Sequence, residues 1–450
     1  MNAQELAALS SRAALIAHLR DSLPHLGLSD SATSPFRGGR AAALAALHAI
    51  QPEAYARTRN FLTGNVTHLS PYLRHGVLTL SEVRDHALAV VHNPTHAEKF
   101  INELAWRDYW QRIYFEIGDG IWQDREAPKT GLSSNRYRSE LPEAITSGTT
   151  TLACIDAFSQ ELTTTGYLHN HARMWFAAYL THWLRVRWQA GARWFLQHLL
   201  DGDPASNNLS WQWVASTFST KPYLFNRENL ERYTAGVHCR TCPHAAAKTC
   251  PFDATYEVLT ERLFPRGDHT LSGSMPPPPV PYSRPSHQPD LFQKPSPEPT
   301  GSPLLWIHND SLNPASSIFT TYPVAPALFV WDSVPAARPS PHAPSLSLKR
   351  TLFIAECLQQ MPAHLEIRTG DPVIELLAEA RANQASHIIA QRTPDPRLQA
   401  IAASLQTHLP VVWVDPPPFV TATRGFDLKR FSRYWQRAQS SAMQPTRSQS

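Results

Sequence analysis

The sequence predicts a multidomain protein: an all-α region, then a proline-rich linker, then a doubly wound, Rossmann-like α/β domain. Three observations carry that prediction. Up to Phe264, apolar residues recur at helical spacing and no convincing alternating strand interrupts them. Residues 268–302, including MPPPPVPYSRPSHQPDLFQKPSPEPTGSP, are too rich in Pro and Ser to bury a core. Beyond them, short apolar runs alternate with amphipathic segments, as parallel βαβ units require. The expected boundaries are an N-terminal helical extension over 1–35, a helical domain over 36–267, the linker over 268–302, the α/β domain over 303–420 and a basic tail over 421–450.

A chain of 450 residues can bury two or three cores. Its formal net charge of +4 does not establish a wholesale electrostatic grip on nucleic acid and leaves room for a local basic face. Residues 1–25 read as one amphipathic helix (Leu6, Leu9, Ile16, Leu19) without the apolar run of a signal peptide. No stretch reaches the roughly 18 apolar residues of a membrane span, so a cytoplasmic location with no membrane partner is expected. Most of the thirteen Trp lie between Trp106 and Trp213, next to polar groups, where they serve as core or stack a cofactor.

Taken in order, FRGGRAAALAALHAI reads as a helix, and QPEAYARTRNFLTGNVTHLSPYLRHGVL as a polar loop leading into another. Thr67 and Ser70 bracket the start of that second helix, where hydroxyls and open N–H groups suit either a phosphate or an ordinary cap. In AEKFINELAWRDYWQRIYFEIG, Glu103 and Trp106 share one helix face. Helices follow at about 151–165, 167–189 and 191–201. The stretch from Thr165 to Phe225 gathers charges (Arg173, Asp201, Asp203), amides (Asn170, Asn207, Asn208) and aromatics (Trp188, Trp211, Trp213). Charge in an apolar setting is costly unless paired or held against a ligand, so this density points to a large, polar, aromatic ligand.

In the α/β part, PLLWIHND, ALFVWD, LEIRTGD, HIIAQR and PVVWVD read as strands. LKRTLFIAECLQQM, PVIELLAEARANQ and PRLQAIAASLQTH read as the helices between them, and KRFSRYWQR as a last short helix. Of the five cysteines, Cys154, Cys239, Cys242 and Cys250 form a set whose grouping in a chain of this type favours metal over disulfides. Four thiolates hold zinc or a 4Fe-4S iron–sulfur cluster, and spacing alone does not choose between them. Cys357, on an apolar helix face, reads as a buried small residue.

These motifs together resemble the photolyase and cryptochrome family. NVTHLSPYLRHGVL looks like its phosphate-binding segment, NELAWRDYW like its helix bearing a Glu and a Trp, and TGYLHNHARM with DGDPASNNLSWQWVAST like its flavin cradle. The resemblance implies an FAD whose phosphates and ribose are held by Tyr55, Thr67 and Ser70, with Arg173, Asp201, Asp203 and Asn207 around the ring system. It implies a lesion pocket lined by Glu103, Trp106, Asn170, Met174 and Trp213, and electron transfer through Trp211 and Trp188. The family's third electron-transfer Trp falls near Asn135, where this sequence has none; Tyr137 or the cysteine site could substitute. His171 stands where the family commonly has Arg, and Val66 where it has a hydroxyl residue.

The cysteine arrangement is similar to that of the bacterial photolyase branch carrying an iron–sulfur cluster, which favours 4Fe-4S over zinc. In typical members the α/β antenna domain comes first; here that pattern comes last, and no antenna chromophore is identified. The implied function is light-dependent DNA repair, in which FAD-mediated electron transfer splits cyclobutane pyrimidine dimers. The alternative is a cryptochrome-like blue-light photoreceptor signalling through a protein partner, and a flavin and iron–sulfur redox protein without a light role ranks last. The expected partner is damaged DNA, bound by a monomer. In the linker, Gln288, Pro289, Asp290, Leu291 and Phe292 resemble the peptide by which bacterial repair proteins dock onto the replication sliding clamp.

Overall fold

The structure is a computed structural model that describes residues 1–28, 33–264, 299–334, 346–421 and 425–446. Most of the expected linker, and the Gln288–Phe292 peptide within it, lie outside the described residues. Helices α1 (Ala3–Ala7), α2 (Arg12–Ser22), α3 (Arg40–His48), α4 (Pro52–Thr58), α5 (Ser70–Arg74), α6 (Leu80–Ala89) and α7 (Glu98–Ile117) come first. They are followed by α8 (Glu143–Ser147), α9 (Ala153–Thr165), α10 (Asn170–Ala178), α11 (Trp188–His198), α12 (Pro204–Ala215), α13 (Arg227–Thr234), α14 (Pro243–Ala246) and α15 (Tyr256–Leu263). The remainder alternates: β1 (Pro303–Ile307), α16 (Ser317–Thr321), β2 (Ala327–Asp332), α17 (Leu348–Leu358), β3 (Leu365–Gly370), α18 (Pro372–Ala382), β4 (His387–Gln391), α19 (Pro396–Leu405), β5 (Val411–Val414) and α20 (Phe431–Ala442). None of the described helices is long and apolar enough to cross a membrane.

The chain forms two compact units. The first comprises Met1–Ala56, Thr67–Gly118 and Arg284–Ser450, the second Arg57–Val66 and Asp119–Ser283. In the first, five strands make one parallel sheet in the order β3-β2-β1-β4-β5, a doubly wound arrangement with β1 at its centre. β1 and β4 are buried almost throughout, which is why they read as unbroken apolar runs. Asp371 and Asp395 cap α18 and α19, each followed by Pro in the first turn. Leu304, Trp306, Leu328, Leu376, Ile388, Ile401 and Leu405 are core residues on one side of the sheet.

The N-terminal stretch is two helices, not one. Ser11 is extended and accepts from the N–H of Ala14, so it ends one segment and caps α2. Arg12 of α2 then donates to Glu356 of α17 at 2.7 Å, and the N–H of Gly38 reaches the same carboxylate at 2.8 Å.

The switch point of the sheet lies between β1 and β4, where ligands commonly bind in such folds. Here α5 fills it. Arg74, almost wholly buried, pairs with Asp310 just beyond β1. The Thr393 hydroxyl donates to the same carboxylate at 2.8 Å, and the N–H of Leu312 donates to the His75 carbonyl at 3.0 Å. Gly76 has φ +65°, and a Cβ there would stand 2.1 Å from the Asp310 carbonyl oxygen, so only glycine lets the two backbones approach this closely. Burial by itself would raise the Asp310 carboxyl; Arg74 and His308 overcome it and hold the group well below the usual carboxylate range.

In the second unit, the expected helix over 167–189 breaks before Trp188. After α10 a π-turn spans Tyr179–Trp183, Arg185 is left-handed at φ 53°, and residues 185–187 bond instead to Arg138, whose N–H donates to the Arg185 carbonyl at 2.8 Å.

Asp310→Asn should therefore cost about 3–5 kcal/mol in urea unfolding at pH 7, because it strands a buried guanidinium. The wild-type carboxyl titrates lower folded than unfolded, so its contribution is present above about pH 4 and lost as pH falls below that value. The variant should show a correspondingly flatter acid limb.

Candidate functional site

The densest set of candidate residues lies on α10, α11 and α12 of the second unit. Leu199 and Leu200 are buried, and the chain turns there from α11 into the sequence DGD. Arg173 of α10 reaches across to Asp201 in that turn, with Nη2 donating to both carboxylate oxygens at 3.1 and 2.9 Å. Its Nε donates to the Leu168 carbonyl at 2.7 Å, and its guanidinium lies 5.4 Å from the centre of the Tyr167 ring. Burial pushes the Tyr167 hydroxyl up to about 12, keeping it a neutral donor. Asp203 accepts from the N–H of Ser206 at 2.8 Å and so caps α12.

Asn207 sits one turn into α12. Its Nδ2 donates to the Ala192 carbonyl and to Asn208 Oδ1, both at 3.0 Å, which ties α12 to α11. Asn208 is fully buried and its Nδ2 has no protein partner among the described residues, an arrangement that a polar ligand atom would complete. Asn170 and Met174 are neighbours one turn apart on α10, Nδ2 to Sδ at 3.7 Å. Trp213 is half-buried beside Tyr223, with ring centres 5.4 Å apart. His171 packs its ring against Trp175 and Tyr233.

Trp211 and Trp188 are both buried. Trp211 lies over Gly191, one turn from Trp188 on α11, and a Cβ at Gly191 would come within 2.3 Å of the indole. The sequence did not single out the partners of Trp188. Its indole Nε1 donates to Asp124 Oδ1 at 2.7 Å, and its ring stacks on Trp122 with centres 6.5 Å apart and planes 11° apart. Asn135 is exposed and accepts from Ser133, and Tyr137 donates to Thr130 at 3.2 Å.

The first unit carries the remaining candidates. Tyr55 meets Phe100 edge to face at 5.1 Å. Thr67 and Ser70 are half-buried at the start of α5, where His68 is left-handed at φ 52°. Glu103 pairs with Lys99 at 2.9 Å. Trp106 has an aromatic partner that the sequence did not reveal: Phe431 of α20 stacks on it with ring centres 3.7 Å apart and planes 10° apart. Tyr434 donates to Asp108 at 2.6 Å and Gln439 to Glu98 at 2.7 Å, so α20 lies along α7.

All five cysteines are free thiols. The Cys154 thiol is pushed up by burial first, then by the neighbouring Cys239, Cys242 and Cys250, so the four share one environment. Burial also raises Cys239, to about 11. Among the described residues, no three His, Cys, Asp or Glu side chains converge as ligands of a single metal ion.

Residues 100–235 match the family model described as the FAD binding domain of DNA photolyase. This helical segment is thus similar to the flavin-binding part of photolyases. The deoxyribodipyrimidine photo-lyase of Streptomyces griseus is 39% identical over 159 residues, covering 35% of this chain and 33% of that protein. The corresponding enzyme of a Synechococcus species is 31% identical over 243 residues, covering 48% and 47%. A cryptochrome DASH of Idiomarina loihiensis is 29% identical over 220 residues, covering 46% and 48%. The chain thus spans between a third and a half of the length of these photolyase relatives.

Gly191→Ala should force the Trp211 ring out of its seat. Overpacking of this kind costs about 1–3 kcal/mol, which urea unfolding would register together with a shift in tryptophan emission.

Proposed function

We propose that the chain binds FAD and repairs cyclobutane pyrimidine dimers in DNA under blue light. The observation that carries this reading is the pair of a half-buried Arg173 and a buried Asp201, set with Asp203 and Asn207 on neighbouring helix ends inside the segment that matches a photolyase FAD-binding domain. Bound flavin supplies a light-driven one-electron donor, and the protein's own residues bind, orient and exclude water. Arg173 presents a fixed positive edge and Asp203 a carboxylate at the α12 N-terminus. The Asn207 and Asn208 amides offer hydrogen bonds to ring nitrogens and carbonyls. Tyr55, Thr67 and Ser70 are assigned to the phosphates and ribose by resemblance.

Asn170, Met174 and Trp213 are assigned to a flipped-out dinucleotide, with Trp213 as stacking surface. Glu103 is assigned to the pyrimidine carbonyls. Trp106, which already stacks on Phe431, is assigned to the pocket wall.

Cys154, Cys239, Cys242 and Cys250 are assigned to a 4Fe-4S cluster. In a cluster each thiolate holds a different iron, so ligands need only be neighbours, whereas zinc needs all four sulfurs about 2.3 Å from one point. That Cys154, itself buried, lies close enough to feel Cys239, Cys242 and Cys250 fits the cluster. The likeness to a cryptochrome keeps light signalling as the second reading.

The deciding assay gives reduced, FAD-loaded protein an oligonucleotide with a single cyclobutane dimer. Loss of the dimer under blue light and none in the dark is expected; intact dimer after illumination would turn the assignment to signalling. Trp213→Ala should weaken binding of the damaged oligonucleotide by about 1–3 kcal/mol, the worth of one stacked base, as read by fluorescence anisotropy.

A further inference from the structure

We propose that Trp188 ends the path by which electrons reach the flavin through Trp211, and that Asp124 takes the indole proton when Trp188 is oxidised. The proposal rests on the flavin reading above. It answers a problem specific to this chain: the path needs a place where the positive hole is trapped, yet Asn135 and not an aromatic residue occupies the third position.

Asp124 is built for that trap. Trp188 is buried and its Nε1 donates directly to Asp124 Oδ1 at 2.7 Å, so a proton has one short step to travel. A carboxylate beside an indole stabilises a positive charge on the ring. Burial raises the proton affinity of Asp124, against the opposing pull of the Trp188 N–H and of Arg187. Removing an electron makes the indole N–H strongly acidic, and the acceptor is already in place.

Trp122 stacks on Trp188 and offers itself as a further hop. The electrostatics argue against it. The Arg193 guanidinium lies 5.4 Å from the centre of the Trp122 ring, and a cation there disfavours a second positive charge on that ring. The hole is therefore lower in energy on Trp188, beside a carboxylate, than on Trp122, beside a guanidinium.

With FAD bound, Trp211 would supply the electron that light-excited flavin takes up, and Trp188 would give one electron to Trp211 and restore it. The Trp188 N–H bond then breaks heterolytically, its proton passes to Asp124 Oδ1, and a neutral indolyl radical faces a neutral carboxylic acid. A soluble thiolate reductant supplies one electron to the radical, and Asp124 returns the proton to Nε1.

The test uses the full FAD-loaded chain, with transient absorption distinguishing protonated from neutral tryptophan radicals in H2O and D2O. Asp124→Asn keeps an oxygen that accepts the indole N–H but removes the base. It should abolish the neutral radical and the solvent isotope effect, and shorten the radical lifetime by roughly 10²-fold, the lower end of what a positioned proton acceptor contributes. Asp124→Glu keeps the base and should restore the neutral radical; failure of that rescue would count against the proposal. Neutral radical formed unchanged in Asp124→Asn would overturn the role of Asp124. Trp122→Phe should leave the radical yield unchanged, and a collapse there would show that the path runs on past Trp188. Undiminished photoreduction in Trp211→Phe would instead overturn the flavin reading itself, and the proposal with it.

Discussion

The Arg173–Asp201 pair constrains the second unit more than any other contact at the candidate site. A buried carboxylate needs a cation, and Asp201, in the turn between α11 and α12, finds the half-buried guanidinium of Arg173. Once Asp201 is fixed, the following Gly202 and Asp203 have little freedom, and Asp203 is delivered to the start of α12 as its cap. The orientation of α12 in turn sets Asn207 against the Ala192 carbonyl, seats Trp211 on Gly191 and places Trp213 beside Tyr223. A charge pair, a cap and a missing side chain act in series along α10, α11 and α12.

The same logic recurs in the first unit with another outcome. Arg74 and Asp310 also leave water together, but they do so at the switch point of a parallel sheet, where open α/β folds keep a crevice. The polar groups at the ends of β1 and β4 are used on α5 instead of being held ready for a ligand. One ion pair thus frames a candidate site, and the other joins a sheet to a helical segment.

Much of this was legible in the residues. The five strands and three of the helices between them stand where short apolar runs and helical periodicity put them; β1 and β4, buried almost throughout, cannot hide their composition. The Arg173, Asp201 and Asp203 grouping was visible too, since charges in apolar text are conspicuous. What periodicity cannot report is which distant side chains meet. Phe431 on Trp106, Asp124 on Trp188 and Arg74 on Asp310 are contacts between positions far apart in sequence, and no local spacing encodes them. The break before Trp188 was missed for a related reason: residues 185–187 have partners at Arg138 that compete with the helix, so a tertiary bond overrode a local propensity.

The packing of α20 along α7 has a consequence for how the chain is made. Every residue assigned to the second unit precedes residue 284, whereas α7 acquires Phe431, Tyr434 and Gln439 only after more than three hundred further residues have been joined. At a synthesis rate of about 5–20 residues per second, the ribosome has finished the second unit many seconds before α20 exists. In that interval the face of α7 that carries Trp106 lacks its own aromatic cover and is open to chaperones or to other nascent chains. Translation order, as much as equilibrium stability, therefore governs when this surface becomes safe.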